Sequence, residues 1–138
     1  MKKLLLSLAL VFAAFSASAL QEIPIKSTSR TDTTTYSADM YARKGDRAIS
    51  INSYVTAIPA AATLTLTLQA KQPQGNYVDV LSSAATAAST STFILLTAGE
   101  GMPVTSNISA NIPMPPVFRI KSVIAGSATY SIGINRSN

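Results

Sequence analysis

Thr63-Leu64-Thr65-Leu66-Thr67-Leu68-Gln69 is the stretch that decides the fold class. Leucine alternates with threonine, a period of two. In a strand, successive side chains point to opposite faces, so Leu64, Leu66 and Leu68 share one apolar face and Thr63, Thr65 and Thr67 share the other. A helix would scatter the same leucines around its circumference. Threonine is β-branched and suits a pleated surface. The expectation is a half-buried strand, with leucines in a core and threonines toward solvent or a partner.

The flanking sequence reads the same way, being rich in Thr, Ser, Val, Ile and Ala with turn residues at intervals. Thr34 to Tyr41 is a candidate strand. Lys44-Gly45-Asp46 is a turn before a strand from Ala48 to Val55, with Ile49, Ile51 and Ser53 on one face. Pro73-Gln74-Gly75-Asn76 ends the Leu/Thr strand, and Tyr77 to Leu81 follows. Phe93-Ile94-Leu95-Leu96 lies in a strand buried on both faces. Val117 to Ile124 sets Phe118, Ile120 and Ser122 against Val117, Arg119 and Lys121. Gly126-Ser127 reads as a tight turn. Ala128 to Ile134 then places Tyr130, Ile132 and Ile134 on one side. Ser82 to Thr90 reads as a loop. Residues 99–116 hold four of the seven prolines, so they read as loop with a short edge strand near Val104 to Ile108.

The resulting expectation is all-β: a single antiparallel β-sandwich, Ig-like or jelly-roll-like, of seven to eight short strands. It spans residues 34–138, after an extended lead-in over 20–33.

The chain begins Met1-Lys2-Lys3, then runs apolar from Leu4 to Phe15 and on to Ser16-Ala17-Ser18-Ala19. A cationic start, a short greasy helix and a small-x-small site make a secretory signal peptide. Ala17 and Ala19 fit a signal peptidase, which would cut before Leu20. The apolar run is shorter than the roughly 20 residues of a membrane span. The competing readings of residues 1–19 are an uncleaved anchor and an apolar arm buried in an assembly.

Composition narrows the chemistry. Charged residues are 12% of the 138, with a net charge of +5 that falls by two if Lys2 and Lys3 are removed. The remaining basic residues are scattered, without the clustered face of a nucleic-acid binder. There is no Cys and no His. Histidine triads, thiolate nucleophiles and the usual zinc sites are therefore excluded. Glu22, Asp32, Asp39, Asp46, Asp79 and Glu100 fall mostly at expected turns or exposed strand positions, without the spacing of a calcium loop or a glycosidase pair. Gly99-Glu100-Gly101 lacks the length and the Lys-Ser/Thr of a phosphate loop. No catalytic, metal or cofactor residue is assigned, and no cofactor is expected. The tyrosines Tyr36, Tyr41, Tyr54, Tyr77 and Tyr130 are expected mostly at core edges with the hydroxyl in water. Arg119 and Lys121 share the polar face of a strand. With Thr63, Thr65 and Thr67 they form the candidate interaction surface.

One pattern extends across the chain. The run Thr63–Gln69 is followed by Gly75-Asn76-Tyr77-Val78-Asp79-Val80, then by Phe118-Arg119-Ile120-Lys121 and Gly126-Ser127-Ala128-Thr129-Tyr130-Ser131-Ile132-Gly133. Over roughly residues 34–134 this resembles small β-sandwich proteins encoded among the structural genes of tailed bacteriophages. Those have a "TLTVTLQ"-like strand, a "G-x-[YW]-x-D" hairpin and a near-terminal arginine strand before "GTSPTYSVG". The resemblance implies a non-catalytic virion accessory protein, such as a capsid decoration or minor structural protein. It would bind a particle surface through loops or an edge strand, with capsid subunits or like copies as partners, as a homo-oligomer or assembled on the particle. The leader departs from that pattern and implies the alternative: an exported bacterial domain, periplasmic or secreted, that binds a polymer or a protein partner.

Overall fold

The computed structural model describes residues 22–58, 61–88, 95–99 and 109–137. The leader with Ala17, Ala19 and Leu20, the pair Phe93-Ile94 and the expected edge strand near Val104 to Ile108 lie outside the described residues. Nine strands are described: β1 (Glu22–Tyr36), β2 (Met40–Tyr41), β3 (Ala48–Ala57), β4 (Thr63–Lys71), β5 (Tyr77–Ser82), β6 (Thr86–Ala87), β7 (Leu95–Gly99), β8 (Ser109–Asn111) and β9 (Val117–Ser137). The protein is all-β. Every strand pairing is antiparallel except that of β7 with β8.

Most of the expected elements are present. Leu64, Leu66 and Leu68 are buried, as are Ile49, Ile51 and Ser53. The main difference is at Gly126-Ser127, which is not a hairpin turn. The two strands expected on either side of it are one 21-residue strand, β9. Its even-numbered residues from Phe118 to Ile134 face inward, apart from Gly126 at the bend, without a change of phase. Residues 22–33, expected within an extended lead-in, form the first part of β1, which pairs along β9 from Glu22 to Tyr36. Thr34 to Tyr41 is interrupted at residues 37–39 and resumes as β2 on the same neighbour.

β9 folds over on itself. Ser122 Oγ donates to the Tyr130 hydroxyl at 2.7 Å, and both residues are fully buried. Eight residues of straight strand would hold them about 26 Å apart. The Arg136 guanidinium likewise lies 5.6 Å from the Phe118 ring. The bend sits at Gly126, whose φ is +87°. Its neighbours bend beside it. Asp32 of β1 has a φ of +39° and accepts a hydrogen bond from the Gly126 amide at 2.6 Å. On the other side, the link from β3 to β4 passes so close that a Cβ on Gly126 would sit 2.2 Å from the Ala61 carbonyl oxygen. Only glycine suits both the dihedral and the gap.

A long three-stranded sheet, β1–β9–β3/β4, is thus creased across its middle and closed on its own inner face. The first half holds β4, β5, β6, β2, residues 117–125 of β9 and residues 33–36 of β1. The second holds β3, β7, β8, residues 127–137 of β9 and residues 22–31 of β1. Leu64, Leu66, Leu68, Phe118, Ile120 and Ile124 from one half meet Ile49, Ile51, Tyr130, Ile132 and Ile134 from the other in one core. The sandwich is built from this crease, with two long strands shared by both layers.

Candidate functional site

The outer face of the first half gathers the residues of interest, because register sets which side chains stand side by side. Thr65 opposes Val123, Thr67 opposes Lys121 and Gln69 opposes Arg119. On the other flank of β9, Thr34 opposes Val123, Tyr36 opposes Lys121 and Tyr41 opposes Val117. Beyond β4, Tyr77 opposes Lys71 and Asp79 opposes Gln69. The five candidates Thr63, Thr65, Thr67, Arg119 and Lys121 therefore do share one face. Thr63 is exposed and Thr65 half-buried. Thr67 departs from the expectation. It is buried at 4% exposure, beneath Ser82, whose hydroxyl donates to Thr67 Oγ1 at 2.9 Å.

Arg119 is the pillar of this face. Its guanidinium carbon stands 4.2 Å from the Tyr36 ring centroid and 3.5 Å from that of Tyr77. Planar guanidinium between two aromatic rings is a favourable cation–π arrangement. Arg119 Nε donates to Gln69 Oε1 at 2.8 Å, and Gln69 Nε2 donates to Asp79 Oδ1 at 2.6 Å. Asp39, in the break between β1 and β2, reaches across to the other flank. Its carboxylate accepts from Lys71 Nζ at 2.7 Å and from the Tyr77 hydroxyl. These two hydrogen bonds, from Lys71 first, hold the Asp39 carboxyl below its ordinary value. The same bonds push Lys71 and Tyr77 up, since each would lose its acceptor partnership on deprotonation.

Two open grooves flank this platform. One, of about 520 Å³, is lined by Tyr41, Lys71, Gln72, Pro73, Gly75, Pro116 and Val117. The other, of about 260 Å³, lies at the crease between Asp32–Thr34 and Val123–Ala125. Tyr36 and Lys121 stand between them. From Val117 to Val123 the track runs roughly 20 Å along the strand. Tyr36 is 48% and Tyr41 66% exposed.

A second polar cluster closes one end of the sandwich. Arg136, on the inward face of β9, pairs with Asp46 and with Glu22, and Arg43 pairs with Glu22. The Arg136 and Asp46 side chains are only 9% and 2% exposed. Burial pushes the Asp46 carboxyl up. The Arg43 amide and the Arg136 guanidinium outweigh that and hold it below its ordinary value.

The sequence reading of the tyrosines holds for the exposed strand positions of Tyr36, Tyr41 and Tyr54, but not for Tyr77, whose hydroxyl donates to Asp39. It fails for Tyr130, which is fully buried with its hydroxyl on Ser122. The sequence alone does not mark Tyr36, Tyr77, Gln69, Lys71, Asp39 and Asp79 as site residues. A signal existed for two of them: Gln69 and Lys71 continue the alternation of the threonine face. Nothing local places Asp39 or Tyr36 there, because their neighbours lie far away in sequence. Among the described residues no group of three or more Asp, Glu, His or Cys is placed to hold a metal.

Comparison with known proteins gives little sequence kinship. No family model matches, and no curated protein matches. Among solved structures, the chain is similar to the CBM22-1 xylan-binding domain from Paenibacillus barcinonensis Xyn10C. That likeness has 12% identity and a TM-score of 0.42, and covers 86% of this chain and 93% of that one.

Proposed function

We propose that this protein is a non-catalytic binding domain that lays an extended polysaccharide across the outer face of its first half. The observation that carries this reading is the open track of groove, tyrosine platform and groove, with Tyr36 and Tyr41 exposed along it. Sugar rings offer C–H faces that pack on aromatic rings, and hydroxyls that meet polar side chains. Rings already locked by their neighbours lose little entropy on binding. Tyr36 is held by Arg119, so the platform is preorganised. The leader-like residues 1–19 accord with work outside the cytoplasm, with a mature chain starting at Leu20.

The test is affinity electrophoresis of the full-length and leaderless chain through gels containing hydroxyethylcellulose, laminarin, alginate or polygalacturonate. Retardation by at least one polymer is expected. Tyr36→Ala and Tyr41→Ala should abolish it while leaving the melting temperature within a few degrees. Migration unchanged in every gel sinks the proposal.

A second reading, virion decoration, is favoured by one observation. Gln69, Tyr77, Asp79 and Arg119, the polar residues of the phage-like pattern, interlock on this same face. Under that reading the face docks on capsid protein. Peptide mass spectrometry of purified particles would find the chain at many copies with Met1 retained. Absence from clean particles removes it.

A further inference from the structure

We infer that the polymer held on this face is acidic, a carboxylate-bearing polysaccharide of the uronate class, and that Lys121 is the residue that reads its charge. This rests on the polysaccharide reading above. The other charges of the face are already engaged. Lys71 pairs with Asp39, Asp79 receives Gln69, and Arg119 is stacked between two rings and bonded to Gln69. Lys121 has no ion pair among the described residues. Its in-register neighbours are Thr67 and Tyr36, both uncharged, and the next outward residues of its own strand are Arg119 and Val123.

Arg119 thus stands against the Tyr36 ring, and Lys121 is the register neighbour of Tyr36, with no carboxylate paired to it among the described residues. Three cations, Lys71, Arg119 and Lys121, share the face with Asp39 and Asp79, and Asp32 in the groove at the crease is taken up by the Gly126 amide. Of the three cations, Lys121 is the one without a bonded or stacked partner among the described residues, and it stands midway along the track. A sugar stacked on Tyr36 would bring a ring substituent over the Lys121 ammonium. Charge complementarity selects a carboxylate there. A neutral polymer would leave the ammonium merely covered, at a desolvation cost. The chain is basic, at +5 in full and two lower once Lys2 and Lys3 leave with the leader, which favours approach of an acidic polymer.

The experiment compares full-chain binding to alginate and polygalacturonate with binding to hydroxyethylcellulose, at low and at physiological salt. Poly-glutamate and duplex DNA serve as acidic non-sugar probes. The expected result is a preference for the uronate polymers that weakens with salt. Lys121→Gln should cut it about threefold or more, at unchanged melting temperature. Lys44→Gln, in the exposed turn after β2, should leave it intact. Equal binding of neutral and uronate polymers, or a preference that survives Lys121→Gln, overturns this inference and leaves the polysaccharide reading standing. Poly-glutamate or DNA held as tightly as uronate also overturns it, since charge alone would then suffice. Failure to bind any polysaccharide overturns both.

Discussion

Phe118 and Arg119 are neighbours on β9, yet they belong to two arginine clusters of opposite character. Phe118 points inward, where Arg136 lies over its ring, and that arginine is paired with Asp46 and Glu22. Arg119 points outward between Tyr36 and Tyr77 and meets only the neutral amide of Gln69 directly. The difference follows from burial. A guanidinium that is nearly sealed from water must be neutralised by carboxylates and fully hydrogen-bonded. One on an open face can spend its positive charge on aromatic rings instead. The inner cluster holds the end of the sandwich shut, and the outer one shapes a surface.

The largest expected effect comes from breaking the crease on which both clusters depend. Gly126→Ala puts a methyl against the Ala61 backbone at a positive φ, and should cost about 4 kcal/mol from overpacking and dihedral strain together. Denaturant unfolding measures it. A loss below about 1 kcal/mol would mean that the crease moves easily. Next, Arg136→Ala strands the buried Asp46 carboxylate and should cost about 3 kcal/mol. Polysaccharide binding, read at a temperature where the variant is folded, should persist.

Arg119→Ala sharpens the contrast by inverting it. Stability should fall by only about 1 kcal/mol, while binding weakens because Tyr36 loses its support. Equal damage to stability from Arg119→Ala and Arg136→Ala would erase the distinction between the clusters.

The smallest effect is on acid stability. Asp39 and Asp46 both have folded-state values below the ordinary 3.8. Each therefore contributes stability that is fully present above about pH 4 and is lost as pH falls through its depressed value. Asp46→Asn should flatten the acid limb of a stability–pH curve more than Asp39→Asn, since only Asp46 is enclosed. The reverse order would place the stronger coupling on the open face.

The sequence carried the strands and their inner faces well, because alternation is a local signal. Leu64, Leu66 and Leu68 could be assigned to the core from seven residues. It misled at Gly126-Ser127, where glycine before a small polar residue has the composition of a hairpin turn. The residue that distinguishes crease from hairpin is Ala61, which crowds Gly126 from the β3–β4 link, far away in the chain. Thr67 was misplaced for a similar reason: its parity is right, but Ser82 covers it. The site was legible only in part. Arg119 and Lys121 announced themselves by parity. Tyr36 and Asp39 reach them only through the pairing of the first strand with the last.

The pairing of β1, β3 and β4 with β9 also sets a schedule. Each of the three finds its main neighbour in the last strand of the described order, so none is complete before β9, even though β4 has a local partner in β5. A chain emerging residue by residue must keep nearly a hundred residues waiting before the centre of its sheet exists. Contacts so distant in sequence make for slow, all-at-once folding. Until β9 arrives, the leucine and isoleucine faces stand open to whatever meets them first.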